Sequence, residues 1–308
     1  MFDHSPTEIA GLERQRRRLL RVVAATVLAT VAVAAVALGS TSTQADAAAG
    51  TGEIVFTRHV RGAAKADVWA VRVDGSGLRR LTRDGVSFDA AVSPDGRWIA
   101  FASGRGNGAD EPELYVMDAD GRNARRLTQS QRGLRTFWQN TSPAWSPDGR
   151  TIVFVRTWIG RGRETTDLWR VAADGRTRPV RLTSHPGREA NPTFAPDGSI
   201  GFDRDGWIRR LSPGFGLGNV RPGTNAAWAP DRTYLAYERE DGIYLTMGQG
   251  ERLLVPGGRA PSWSPDASTL AYQAADGALE TISILGRATK RVTAAARRTE
   301  DLQPSWRP

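Results

Sequence analysis

The chain has no cysteine and only three histidines in 308 residues. The first absence excludes disulfides and a cysteine-linked lipid anchor. The second restricts metal chemistry. Beyond residue 47 only His59 and His185 are left, too few for a three-histidine site, although carboxylates could join them. No Gly-x-Ser-x-Gly sequence occurs, so the nucleophile elbow of an α/β-hydrolase is missing. Long hydrophobic runs are also missing, except between residues 22 and 38. What remains is a Gly- and Pro-punctuated chain with 33 glycines, 17 prolines, 10 tryptophans and a formal charge of +9. Its basic residues are scattered and do not form a block.

The one apolar run has a recognisable setting. Residues 1–21 are polar and end in Arg14, Arg16, Arg17, Arg18 and Arg21. Residues 22–38 are rich in Val and Ala, and residues 39–49 are small and polar with Ala45-Asp46-Ala47. A charged region, an apolar region and an A-x-A site make an export signal, and residues 16–21 also fit a twin-arginine signal. The rival is an uncleaved membrane anchor, for which 22–38 is at the short edge of a span. Either way the arginines keep the N-terminus in the cytoplasm and put the remainder outside. The expected organisation is a signal peptide or anchor over 1–47, a linker over 48–52, and one β domain over 53–308.

That domain is repetitive. Residues 93–128 set the pattern. Ser93-Pro94-Asp95-Gly96 is a turn signal, Trp98-Ile99-Ala100-Phe101 alternates as a half-buried strand should, and Leu114-Tyr115-Val116-Met117 is a further strand. Asp118-Ala119-Asp120-Gly121 is a hairpin turn, and Arg125-Arg126-Leu127-Thr128 closes the unit. The first-strand signal returns around Trp145-Ser146-Pro147-Asp148-Gly149, Phe194-Ala195-Pro196-Asp197-Gly198, Trp228-Ala229-Pro230-Asp231, Trp263-Ser264-Pro265-Asp266 and Trp306-Arg307-Pro308. The outer-strand signal returns at Leu81-Thr82, Leu182-Thr183 and, as a variant, Val292-Thr293. Multi-stranded repeats of roughly 35–50 residues predict a propeller.

The unit resembles the repeat of TolB-type, WD-repeat-like propellers, with their Trp-Ser-Pro-Asp-Gly strand, Tyr-Val-Met-Asp-x-Asp-Gly hairpin and Arg-Arg-Leu-Thr strand. The resemblance covers 53–308. It implies fold more than function, and there is no room for the α/β domain that TolB carries before its propeller. The expected architecture is all-β: a six-bladed β-propeller of four-stranded antiparallel blades over 53–82 with 302–308, 88–128, 141–183, 191–221, 224–255 and 260–293. Residues 53–82 provide three strands and 302–307 a fourth, so the C-terminal strand should complete the N-terminal blade and remove a free sheet edge.

The turns of one face are short. The opposite face is expected to carry long loops at 59–65, 104–111, 129–141, 158–166 and 184–190. Irregular loops on a rigid ring are where binding residues gather, and Trp with Arg is an interface composition. The candidate binding residues are Arg105, Arg132, Arg135, Phe137, Trp138, Trp158, Arg161 and Arg163. Rim packing is the alternative role for the aromatics. Arg58, Arg156, Arg204 and Arg239 each follow a strand aromatic by two places. They form either a cationic collar or ion pairs within blades to Asp67, Asp167, Asp205 and Asp241. Trp145, Trp228, Trp263 and Trp306 are expected between blades. Asp118-Ala119-Asp120-Gly121 reads as a turn, since it lacks further acidic calcium ligands. No cofactor or metal is expected. The functional expectation is an exported, non-catalytic scaffold binding a protein of the cell envelope or exterior through the long-loop face. The alternatives are a propeller enzyme, or a binder of anionic envelope polymers or small ligands. Nucleic acid is excluded as a partner by export, and membrane contact is expected only through 22–38.

Overall fold

In the computed structural model, the described residues are 52–308 except 64, 131–135, 161–162, 213–215, 249, 286–287 and 295–297. The predicted signal or anchor therefore lies outside them, as do Arg132, Arg135 and Arg161. No helix among the described residues is long and apolar enough to cross a membrane.

Blade one contains β1 (Glu53–Val60), β2 (Lys65–Arg72) and β3 (Arg79–Arg80). Blade two follows with β4 (Ser87–Val92), β5 (Trp98–Ser103), β6 (Glu113–Asp118) and β7 (Arg125–Arg126). Blade three is β8 (Thr136–Trp145), β9 (Thr151–Gly160), β10 (Arg163–Ala172) and β11 (Val180–Arg181). Blade four is β12 (Glu189–Phe194), β13 (Ile200–Arg204), β14 (Trp207–Ser212) and β15 (Gly216–Pro222). Blade five is β16 (Thr224–Trp228), β17 (Leu235–Arg239), β18 (Gly242–Met247) and β19 (Gly250–Pro256). Blade six is β20 (Arg259–Trp263), β21 (Thr269–Gln273), β22 (Leu279–Ser283) and β23 (Thr289–Arg291). The last strand, β24 (Thr299–Arg307), pairs with β1 and is the innermost strand of blade one. The six four-stranded antiparallel blades and the closure match the sequence expectation. Blade four, the most degenerate in sequence, is as regular as the rest. Its Gly216–Pro222 segment is the outer strand.

The strands depart from the expected half-buried pattern in an instructive way. In β5, Ile99, Ala100, Phe101 and Ala102 are all fully buried. The alternation there is one of size. Ile99 and Phe101 pack with Val55, Val68 and Leu81 of blade one, while Ala100 and Ala102 meet Trp145, Ile152 and Phe154 of blade three. Each blade thus offers a bulky face to one neighbour and a shallow face to the next. Burying a side chain such as Phe101 contributes about 1.5–3 kcal/mol.

The inner-strand tryptophans fasten these contacts as expected. The Nε1 of Trp145 donates to Ala91 O (3.0 Å), that of Trp263 to Ala227 O (2.9 Å) and that of Trp306 to Ser262 O (2.9 Å), each in the preceding blade. Trp228 Nε1 has no partner among the described residues. Its ring lies beneath the Arg210 guanidinium instead, 5.5 Å away.

The basic-x-Thr ending of a repeat is a clip. The hydroxyls of Thr82, Thr128, Thr183 and Thr293 accept the backbone N–H of Val68, Leu114, Leu168 and Leu279. Arg80, Arg126 and Arg181 donate to the carbonyl of their own clip threonine and pair with Asp67, Glu113 and Asp167. At the closure, Arg58 makes a bidentate pair with Asp301 at 2.6 and 2.8 Å. Glu53 accepts from Arg79 and from Arg307. Burial pushes the Glu53 carboxyl up, but those guanidinium bonds outweigh it and hold it below the usual range.

Candidate functional site

All six innermost strands break register once, and always at the same place. Three residues before Val92, Trp145, Phe194, Trp228, Trp263 and Trp306 the strand carries one extra residue. These are Asp89, Ser142, Asn191, Asn225, Ala260 and Gln303, all left-handed with φ between 47° and 53°. A bulge tilts the strand and re-aims a side chain, and Asn and Asp tolerate this region best. Five of the six, all but Ser142, line both a cavity of about 570 Å3 on the long-loop side and a second one of about 360 Å3 towards the short turns. The bulges therefore form the waist of the central channel.

The waist is tied around the ring by hydrogen bonds between blades. The N–H of Asp89 donates to Thr57 Oγ1 (3.0 Å), that of Ser142 to Asp89 Oδ2 (2.9 Å), that of Asn225 to Asp203 Oδ2 (2.9 Å) and that of Ala260 to Glu238 Oε2 (3.1 Å). Side-chain amides add to it. Asn191 Nδ2 donates to Asp203 Oδ2 and Asn225 Nδ2 to Glu238 Oε2, both at 2.8 Å, and the Gln303 amide bonds Asp89. Asp203 is 5% exposed and its Oδ1 has no partner among the described residues. Burial pushes its carboxyl up to about 6, against the bonds from Asn225 and Asn191, and Glu238 nearby adds to the rise. Burial raises Asp89 as well.

The expected binding residues are placed differently from the sequence reading. Phe137, Trp138 and Trp158 are not in loops. β8, β9 and β10 are ten residues each and continue the sheet of blade three into the 129–141 and 158–166 segments. Trp138 lies opposite Trp158 and Phe137 opposite Ile159, all half-buried. Cross-strand aromatic pairs stabilise such a ribbon. Arg163 begins β10 and is exposed. Arg105 is in a true loop but is fully engaged. It pairs with Asp84 at 2.7 Å, donates to Ser103 and Ser87, and stacks between Phe101 and Tyr115.

The spaced arginines do not form a free collar, nor do they find the expected carboxylates. Arg58 pairs with Asp301, Arg204 with Glu189 and Arg239 with Glu251. Asp67 and Asp167 are already held by the outer-strand Arg80 and Arg181, and Asp241 accepts from Tyr244. Arg156 makes no ion pair with a carboxylate among the described residues. Its guanidinium lies over Trp169, Phe154 and Trp138 at 4.5–5.7 Å, and its Nε donates to Asn140 Oδ1. The 118–121 segment is a hairpin turn in which Asp120 Oδ1 accepts from Arg122 N. Among the described residues no three acidic or histidine side chains are grouped as metal ligands.

The channel waist was missed by sequence reasoning, although a signal exists: small polar residues at a fixed distance before the strand aromatic. Four of the six precede proline, which predicts extended backbone and conceals the bulge.

Comparison with known proteins agrees with this architecture. No family model matches the chain. It is 31% identical over 144 residues to the "Uncharacterized peptidase YuxL" of Bacillus subtilis, a match of 36% of this chain and 20% of that protein. It is 37% identical over 93 residues to the Tol-Pal system protein TolB of Anaeromyxobacter dehalogenans, covering 30% of this chain and 19% of TolB. These matches span about a fifth of the curated relatives' length. Among solved structures, an oligogalacturonate lyase from Vibrio parahaemolyticus superposes with a TM-score of 0.51 at 12% identity, over 78% of this chain and 79% of the lyase. That likeness is one of fold alone. The chain is a six-bladed β-propeller whose repeats are similar in part to those of TolB.

Proposed function

We propose that the protein is an exported, non-catalytic scaffold that binds an extracytoplasmic protein through the long-loop face of its propeller. The observation that carries this reading is the ribbon of blade three. β8 to β10 run beyond the length of the other blades' second and third strands, and the extension holds Phe137, Trp138, Trp158 and Ile159 half-exposed on a rigid sheet. Large aromatics on a rigid support are the usual anchors of protein interfaces. The charged n-region and apolar run before residue 39 support export, and partial similarity to a Tol-Pal system protein supports an envelope setting. For the enzyme alternative, the described residues offer no histidine bonded to a hydroxyl nucleophile and no metal-ligand group. For the polyanion alternative, the spaced arginines are engaged inside their blades.

The test uses the full chain and a Trp138→Ala/Trp158→Ala variant, each as bait against envelope extract from the native source. The reading expects a discrete protein retained by the native chain and lost by a folded double variant. Equal retention by both, with unchanged melting, would remove the ribbon as the binding surface.

A further inference from the structure

The waist of the channel has a chemistry at odds with the whole molecule. The chain carries nine excess positive charges, yet among the described residues Asp89, Asp110 and Glu238 line the larger cavity against one guanidinium, Arg259, and the imidazole of His59, which faces Glu300. Arg259 is at the rim, 65% exposed, with Nη1 3.7 Å from Glu238 Oε1. Behind the wall is Asp203, bonded to both Asn191 and Asn225. Among the described residues neither Asp89 nor Asp203 has a basic partner, while the arginines of the surrounding blades pair elsewhere.

The amides of the waist are oriented by these acids. A carboxylate accepts hydrogen bonds, so the NH2 groups of Asn191, Asn225 and Gln303 are turned towards Asp203, Glu238 and Asp89. Ser142 Oγ likewise donates to Asp89. The backbone N–H groups of four waist residues are taken up between blades. One of the two N–H groups of each amide is thus spent on the wall. The amide oxygens of Asn191, Asn225 and Gln303 receive no bond from the described residues, and all three residues line the channel. Asp203 Oδ1, deeply buried beside two of them, is also without a donor. A ring of acceptors in an acidic setting is complementary to a ligand that brings both positive charge and N–H donors. Charged hydrogen bonds of that kind are the stronger ones, and they would offset the cost of unpaired buried carboxylates.

We propose that the channel waist, through Asn191, Asn225, Gln303, Asp89 and Glu238, binds an organic cation with N–H donors, a primary ammonium or a guanidinium. The cavity of about 570 Å3 above it holds a diamine or the end of a basic side chain with the adjoining peptide. The site is separate from the blade-three ribbon and stands whether or not the ribbon binds a protein.

Titration calorimetry on the full chain at constant ionic strength tests it. The probes are putrescine, the capped tripeptide acetyl-Gly-Lys-Gly-amide, neutral 1,4-butanediol and calcium chloride. Saturable binding of putrescine or of the peptide, with none of the diol, is expected; the tighter of the two identifies a free amine or a polypeptide side chain as the source. Ala260 already holds the same left-handed conformation as Asn225, so an Asn191→Ala/Asn225→Ala variant is expected to fold. It should bind the cation at least about tenfold more weakly. Glu238→Gln should also weaken binding, and Trp138→Ala/Trp158→Ala should leave it unchanged. Equal binding of the diol, undiminished binding by a folded Asn191→Ala/Asn225→Ala variant, calcium displacing the amine at lower concentration, or no amine binding would each overturn the proposal.

Discussion

At Glu189 two contacts from blade three and one from its own blade four meet. Oε1 holds Arg204, and Oε2 accepts from Thr183 Oγ1 and from Leu168 N at 3.1 Å. Glu189 and Arg204 are almost fully buried, with side chains 0% and 6% exposed. Removing one partner strands a buried charge, which costs about 3–5 kcal/mol. Glu189→Ala should lose that much in urea unfolding, and a loss below about 1 kcal/mol would contradict the arrangement. Asp203 behaves in the opposite sense. Its carboxyl is raised to about 6 from an ordinary 3.8, so the folded state holds the proton more tightly than the unfolded one. The penalty is absent below about pH 4, grows between pH 4 and 6, and is complete above that, reaching roughly 3 kcal/mol. Asp203→Asn should therefore gain stability over the native chain at pH 7.5 compared with pH 4. A difference between the two that does not vary with pH would show that burial is not what disfavours the charge. Neither residue's role was legible in sequence. The carboxylates that the spacing offered to Arg58 and Arg156 were taken by the outer strands, and competition among partners from different strands is not visible along the chain.

The blade-three ribbon shows where sequence reading of elements failed. Trp138 and Trp158 fall in long, irregular segments between the repeat signals, which read as loops. The structure places both in paired strands, each tryptophan opposite the other and twenty residues away in the chain. Pairing of that kind leaves no local periodicity. Gly160 makes the extension possible. A Cβ at that position would be 2.5 Å from Thr136 Cγ2 and 2.9 Å from Trp158 Cζ2. Gly160→Ala should cost about 1–3 kcal/mol by overpacking and change the tryptophan fluorescence of the ribbon. A variant with native melting and native fluorescence would mean that the contact is easily relieved. By contrast, the turn at Ser93-Pro94-Asp95-Gly96 was read correctly because its chemistry is local. Ser93 Oγ donates to Asp95 Oδ1 at 2.6 Å, and Asp95 Oδ1 accepts from Arg97 N. The same carboxyl is held below its ordinary range, first of all by the Ser93 hydroxyl.

At the scale of the molecule, the ring depends on residues separated by almost the whole chain. β24 covers Ile54 and Val55, places Trp306 against Ser262 O, and contributes Asp301 and Arg307 to Arg58 and Glu53. Deleting residues 299–308 should expose that edge and give an associating species with a lowered, broadened melt, because an open sheet edge invites pairing. Adding the missing segment as a peptide should restore a monomer. A truncated chain that stays monomeric with native melting would refute closure by this strand. This feature was legible in sequence, since a repeat cut into three strands and one strand can be matched from pattern alone. The channel waist was not, because its bulge is an exception to the strand pattern which revealed the blades. The proposed scaffold meets its partners on the long-loop face. The measurement that tests it most directly is photo-cross-linking in intact cells, from a benzoylphenylalanine at position 158 and from one at position 98. Trp98 is 38% exposed and follows the short Pro-Asp-Gly turn of the opposite face. Binding on that face gives a discrete cross-linked protein from position 158 and none from 98. A product from 98 alone, or the same product from both, would contradict it.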